Sequence, residues 1–231
     1  MSERNGIYQR IAGDKYRNIF VVGDLHGCYQ RLITQLEELA FNRHEDLLIS
    51  VGDLIDRGPQ NVECLDLLNE KWFAAVRGNH EQMAIDTISG NGDGRLWFGN
   101  GGSWYWTLDE EQRLLATKLI EKAKGLPLVI EVNIAGETTV ICHADYPSDH
   151  YLFGKPISES DAVWSRDRFN ALSDGKQVGI NGARAFYFGH TPIQLPAKAA
   201  NLNYIDTGAV FGGLLTIVKL KGERDEASKS A

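Results

Sequence analysis

Five short clusters combine glycine with aspartate, histidine or asparagine, and each stands directly after an apolar run that reads as a strand. Gly23-Asp24-Leu25-His26-Gly27 follows Ile19 to Val22. Gly52-Asp53-Leu54-Ile55-Asp56-Arg57-Gly58-Pro59 follows Leu47 to Val51, and Arg77-Gly78-Asn79-His80-Glu81 follows Phe73 to Val76. The second half adds Cys142-His143-Ala144-Asp145 after Thr138 to Ile141 and Gly189-His190-Thr191 after Ala185 to Phe188. Four of the six histidines fall in these clusters, whereas His44 and His150 stand apart and read as surface or loop residues. A single residue of this kind is ordinarily a turn residue or a satisfied polar group, but five strand-end clusters of ligand type in one chain point to a metal site. Aspartate, histidine and an asparagine carbonyl suit Mn, Fe or Zn, and the lack of paired thiolates argues against a structural zinc. The set is too large for one open catalytic ion. It suits two ions about 3.5–4 Å apart that share a carboxylate and a water, an arrangement that clamps both oxygens of an in-line phosphoryl displacement. Asp53, in the middle of the first three clusters, is the natural bridge.

The elements between the clusters explain how they could meet. Residues two apart on a strand share a side, so Asp24 and His26 can reach one ion. Asp24 and Asp53 are 29 residues apart, and Asp53 and Asn79 are 26 apart. That is close to the roughly 30 residues of a βαβ unit, which sets three clusters side by side at the carboxyl edge of one sheet, where α/β proteins bind ligands. The intervening stretches, Tyr29 to Leu39 and Val62 to Leu68, carry apolar residues at helical spacing. Alternating strands and helices predict an α/β fold. From Ser89 to Ser103 the chain has six glycines and no sustained period, so it reads as a loop and cap, followed by a charged amphipathic helix from Leu108 to Lys124. Further strands are expected at Leu128 to Val132, Thr138 to Cys142, Ala185 to Phe188, Leu202 to Ile205 and Leu214 to Leu220, with weaker helical signal between them. Residues 222–231 are small and charged and read as a solvated tail. With no internal repeat and no Pro-rich or Ser-rich linker, one domain over residues 1–231 is expected.

Composition removes several function classes. A length of 231 residues with 43% hydrophobic and 24% charged residues is that of an ordinary globular protein, neither disordered nor fibrous. The formal charge of −7 has the wrong sign for holding nucleic acid by counterion release. Uninterrupted apolar runs such as Trp72 to Val76 are far shorter than the roughly 18 residues of a membrane helix, and the polar start, Met1 to Arg10, does not read as a secretory signal. Three scattered cysteines, Cys28, Cys64 and Cys142, fit reduced thiols and a cytoplasmic setting.

The ordered set GDLHG, GDLIDRGP, RGNHEQM, CHADYP, FGHT and YIDTGAVFGG resembles the bacterial and phage branch of the metal-dependent phosphoprotein phosphatases, over nearly the whole chain from about Tyr8 to Leu220. The resemblance implies a metallophosphoesterase-type α/β fold, a β-sandwich flanked by helices in αββα layers. It implies that Asp24, His26 and Asp53 hold one divalent ion, and that Asp53, Asn79, His143 and His190 hold the other, Mn²⁺ being the expected metal with Fe or Zn as alternatives. It makes His80 the general acid, Asp56 its orienting partner, and Arg57 and Arg166 the ligands of the phosphoryl oxygens. The reaction implied is direct attack of a metal-bridging hydroxide on phosphoserine and phosphothreonine of proteins or peptides, with tolerance for phosphotyrosine and phosphohistidine. Neither nucleic acid nor membrane is an expected partner.

Several residues keep a second reading. Arg57 could instead pair with Asp56, and Arg168 competes with Arg166. Asp145 could orient a ligand histidine or be an ordinary loop acid, and Asp206 is similarly open. The tryptophans, Trp104 and Trp106 among them, could line a groove, although core packing is the commoner use. Other chemistries fail on spacing. Six residues after Cys28, Cys64 and Cys142 stand Thr34, Glu70 and Ser148, not the Arg of a cysteine phosphatase. No Asp-x-Asp pair occurs, and Ala84 stands where a zinc protease would place its second His. The enzyme alternative is a dinucleoside tetraphosphatase with the same metal motifs, expected to be longer in its second half. A third reading is a non-catalytic binding module on the same fold, which would be marked by lost ligands.

Overall fold

The computed structural model describes residues 3–222. The expected tail, residues 222–231, lies outside them apart from Gly222. In chain order the strands are β1 (Glu3–Asn5), β2 (Tyr8–Ala12), β3 (Ile19–Val22), β4 (Leu47–Ser50), β5 (Phe73–Ala75), β6 (Val129–Ile134), β7 (Glu137–Cys142), β8 (Ala185–Phe188), β9 (Ala197–Ala199), β10 (Leu202–Tyr204) and β11 (Ile217–Lys221). They form a seven-stranded sheet in the order β1-β2-β6-β7-β8-β10-β9 and a four-stranded sheet in the order β11-β3-β4-β5.

Alternation along the strands makes a sandwich of the two sheets. Ile19 and Val21 of β3 and Leu47 and Ile49 of β4 meet Ile11, Ile130, Val132 and Ile141 of the larger sheet in one buried cluster. The residues between them, Phe20, Val22 and Leu48, point the other way, into a second cluster. There they meet α1 (Tyr29–Glu38), α2 (Asn61–Asp66), α3 (Asn79–Ile88) and α6 (Glu110–Ala123), the last of which is preceded by two single-turn helices, α4 (Gly94–Trp97) and α5 (Trp104–Thr107). The outer face of the larger sheet, with Val140, Cys142, Phe186 and Phe188, is covered by α7 (Glu159–Trp164) and α8 (Asp167–Ser173). The expected αββα layering is therefore the observed one.

The three adjacent strands β3, β4 and β5 are parallel, so the first three clusters do emerge together. The fourth and fifth leave β7 and β8, parallel neighbours in the other sheet, so the site spans the ends of both layers of the sandwich. Three departures from expectation have local causes. Strands β1, β2 and β9 are short and carry no apolar run. The stretch expected as loop, Ser89 to Ser103, contains α4 and a wide helical turn at Phe98–Gly102 that its glycines disguise. Helix α3 begins inside the third cluster: Gly78 precedes it and Glu81 accepts the Gly78 backbone N–H at 2.9 Å, one half of a capping box.

Because Ile49 is fully buried between the sheets, Ile49→Ala is expected to cost about 2–5 kcal/mol. Urea unfolding of the metal-free protein measures this, and a loss below about 1 kcal/mol would contradict the packing described.

Candidate active site

The loops after β3 and β4 carry Asp24, His26, Asp53, Asp56 and Arg57; Asn79 and His80 open α3; His143 and His190 follow β7 and β8. All of these except Arg57 are buried. Five of them, His26, Asp53, Asp56, Arg57 and His190, have φ between 42° and 78°. That left-handed region costs a non-glycine residue on the order of 1–3 kcal/mol, and such residues gather at functional sites.

Asp53 is the hub. Its Oδ2 lies 3.7 Å from His26 Nε2 and 3.9 Å from His80 Nε2, and its Oδ1 lies 3.4 Å from His143 Nε2. Donor atoms of His26, Asp53 and His80 fall within 4.8 Å of one another, and those of Asp53, His143 and His190 form a second such group. Asn79 Oδ1 joins the second group, 2.9 Å from His143 Nε2 and 2.8 Å from His190 Nδ1.

The outward ring nitrogens show that these groups fit metal ions. His26 Nδ1 lies 2.8 Å from the Ile55 carbonyl, His143 Nδ1 2.8 Å from that of Val51, and His190 Nε2 3.1 Å from that of Trp164. A carbonyl accepts only from N–H, so each contact fixes the tautomer and leaves the inward nitrogen a lone pair, as in metal-bound histidines. His143 Nε2, His190 Nδ1 and Asn79 Oδ1 then face one another with lone pairs only, an arrangement that a cation resolves. Burial pushes His26 and His190 down to about 3, so both rings keep those lone pairs at neutral pH. Burial alone would lower His143 too, but Asp53 beside it raises it.

The carboxylates add to that demand. Burial would raise Asp53, yet His143, His80 and His26 around it hold it well below the ordinary range. Asp24 is pushed well above that range, first by burial and then by the neighbouring Asp206 and Asp53. Three buried carboxylates in one pocket require a cation or a proton. Asp24 belongs to neither ligand group; its Oδ2 accepts the His190 backbone N–H at 3.0 Å, and His80 completes the first group in the place expected for Asp24. The Asp24 carboxylate fits only because Gly189 has no side chain: a Cβ there would strike Asp24 Oδ1 and come within 2.6 Å of Val51 Cγ2.

His80 differs from the other three histidines. Its Nδ1 lies 2.6 Å from Asp56 Oδ2, a carboxylate rather than a backbone carbonyl, and its Nε2 faces Asp53. Arg57 does not pair with Asp56; its Nη1 donates to His26 Nε2 at 2.6 Å, and its guanidinium stands 5.5 Å from the Phe211 ring. Arg166, exposed at the start of α8, lies near enough for its charge to lower His190 further. Arg168 is committed elsewhere, donating to Asp145 at 2.9 Å and Asp149 at 3.0 Å, which also makes Asp145 a partner of Arg168 rather than of a ligand histidine. Asp206 is buried beside Asp24 and accepts the Gly208 N–H at 2.9 Å.

Two contributions are not visible in the motifs. Glu81 accepts from the backbone N–H groups of Asp53 (2.9 Å), Leu54 (2.8 Å) and Gly78 (2.9 Å), tying the second cluster to the third. Its spacing of three from Gly78 was the signal. Trp97 and Trp104 both donate to Asp56, and nothing in the sequence pairs them with it.

A family model described as calcineurin-like phosphoesterase matches residues 17–194. The chain is similar to serine/threonine-protein phosphatase 1 of Salmonella typhimurium, at 46% identity with 93% of this chain and 97% of that protein covered. It is more distantly similar to an asymmetrical bis(5'-nucleosyl)-tetraphosphatase of Bacillus cereus, at 26% identity with 85% and 87% covered. Among solved structures, one described as a candidate diadenosine tetraphosphatase matches with a TM-score of 0.67 and 19% identity, covering 95% of this chain and 99% of that one.

Gly189→Ala displaces Asp24 and is expected to weaken metal binding by about 10–100-fold. Titration of metal-stripped protein with Mn²⁺, followed calorimetrically, measures this, and unchanged affinity would remove Asp24 from the site.

Proposed function

The chain belongs to the calcineurin-like phosphoesterase family, and from that premise we propose that it is a metal-dependent phosphatase of phosphoserine and phosphothreonine on proteins, tolerant of phosphotyrosine and phosphohistidine. The observation that carries this reading is Asp53, whose two oxygens face separate ligand groups while His80, backed by Asp56, stands beside it. Asp24, His26 and Asp53 would hold one divalent ion; Asp53, Asn79, His143 and His190 would hold the other. Oxygen and imidazole donors without thiolate favour Mn²⁺, with Fe or Zn as alternatives. When bound, the ions supply the Lewis acidity that offsets phosphoryl charge and activates water.

The side chains divide the remaining work. Arg57 and Arg166 meet the phosphoryl oxygens from the exposed rim, and Arg57 exchanges its bond to His26 for one to substrate. As water attacks phosphorus and the bond to the serine oxygen breaks, His80 gives its Nε2 proton to that oxygen, a contribution of about 10²–10⁴ in rate. Asp56 keeps the Nδ1 proton and with it the ring's direction. No thiol takes part: Cys64 and Cys142 are buried, and burial pushes both thiols up. These free thiols support a cytoplasmic setting, and among the described residues no helix is long and apolar enough to cross a membrane.

The alternative substrate class is the dinucleoside tetraphosphate, favoured by the fold likeness and the distant relatives. Metal-stripped protein assayed with a phosphoserine peptide and with diadenosine tetraphosphate, before and after Mn²⁺ is added, separates the two. Peptide turnover that needs metal and exceeds dinucleotide turnover is expected; the reverse preference would transfer the assignment. His80→Asn is expected to retain metal and to slow the peptide far more than 2,4-dinitrophenyl phosphate, whose leaving oxygen needs no proton. Equal slowing of both substrates would exclude His80 as the acid.

A further inference from the structure

The Asp56 carboxylate is completely buried, and His80 is its one ion-pair partner among the described residues. Beside His80, its charge is met by two neutral donors. Trp97 Nε1 lies 3.0 Å from both oxygens, Trp104 Nε1 lies 2.7 Å from Oδ1, and His80 Nδ1 takes Oδ2 at 2.6 Å. We propose that Trp97 and Trp104 are positioning residues for leaving-group protonation: their indole N–H groups pin Asp56, and Asp56 thereby aims His80. This rests on the reading of His80 as the proton donor.

The choice of donor matters. An indole N–H donates, accepts nothing and carries no charge, so it stabilises the buried anion without competing for it as a second cation would. With Oδ1 shared by the two indoles, the carboxylate cannot rotate, and His80 Nδ1 is left a single direction of approach. The ring is then held with Nε2 toward Asp53 at 3.9 Å. The indoles are themselves held. Trp97 is fully buried, with the rings of Trp104, Tyr105 and Trp106 at 6.2, 5.3 and 5.0 Å.

The glycine-rich segment is what allows this geometry. A Cβ at Gly102 would collide with Trp97 Nε1 and come within 2.5 Å of Cδ1, so only glycine lets that indole edge reach Asp56. Gly101, at φ 107°, turns its carbonyl to accept the Arg57 N–H at 3.2 Å. One segment thus fixes both the partner of the proton donor and the backbone of a phosphate-binding arginine. That accounts for two of the six glycines in a stretch with no readable period.

Trp104→Phe keeps a ring and removes one donor. Gly102→Ala keeps both donors but pushes Trp97 aside. Each is to be assayed beside wild type for kcat and KM on the phosphoserine peptide and on 2,4-dinitrophenyl phosphate, with bound metal measured. Since a hydrogen bond to a charged group is worth roughly tenfold or more when lost, the peptide-to-aryl ratio of kcat is expected to fall about tenfold in each variant. KM and metal content should hold. In a His80→Asn background Trp104→Phe should cause no further loss, because the two changes act through one group. Equal slowing of both substrates, an unchanged ratio, or additive loss with His80→Asn would overturn the proposal. A wild type that fails on the peptide but cleaves dinucleotide would instead overturn the substrate assignment, and the coupling between Trp104 and His80 would still be read on the dinucleotide.

Discussion

A carboxylate removed from water must be met by positive charge or by donors, because the cost of leaving it bare exceeds what packing can return. Asp53 is such a group, almost completely buried where the two sheets end. Around it stand three histidines, and those that present lone pairs inward do so because backbone carbonyls hold their outer protons. Every neighbouring element follows from keeping that arrangement. Parallel β3 and β4 deliver Asp24 and Asp53 from one layer, and parallel β7 and β8 deliver His143 and His190 from the other. Glu81 ties the loop of Asp53 to the start of α3. A site built in this way is stabilised by what it binds, since a ligand that occupies only the folded state adds its binding energy to folding.

The same demand explains where the backbone is strained. His26, Asp53 and His190, each in a loop just after a strand, all adopt left-handed φ. Glycines flank these residues because carboxylates and rings must pass where a Cβ would be, as Asp24 does at Gly189. Strain of this kind persists only if the surroundings over-determine it. Here the sandwich core beneath, with Val21, Ile49 and Ile141 fully buried, provides that rigidity.

Much of this was legible in the sequence, for a physical reason. Strand ends that carry ligand residues are marked twice, by the apolar run and by the glycine-rich turn, so Ile19 to Val22 and Ala185 to Phe188 could be read almost to the residue. The spacing near one βαβ unit put three clusters on one edge. What could not be read depends on contacts between distant residues. The second sheet's share in the site required β7 and β8 to lie over the ends of β3 and β4, and periodicity carries no such information. Trp97 and Trp104 are 41 and 48 residues from Asp56, and a tryptophan in a sequence looks the same whether its N–H is spent on a buried carboxylate or on water. Helix α4 was hidden because its stability comes from packing Trp97 into the core, not from propensity.

Asp53 and Asp56 show most directly how environment assigns chemistry. They stand three residues apart in one loop, both buried and both beside His80. Asp53 accepts the His80 backbone N–H at 3.0 Å and otherwise faces the inward, unprotonated nitrogens of His26 and His143, which leaves its oxygens room for a cation. Asp56 faces two indole N–H groups and the Nδ1 of His80, which occupy its oxygens and leave no room for one. Under the proposed reading, the same residue type would therefore serve as a ligand at one position and as a support for the proton donor at the other. The distinction is made by what lies opposite each carboxylate, and for Asp56 that is a segment folded from residues some forty positions away. The protein's overall charge of −7 does not oppose this reading: under it a phosphate would meet two bound cations and the exposed Arg57 and Arg166 at close range, and charges beyond about a Debye length of 8–10 Å are largely screened.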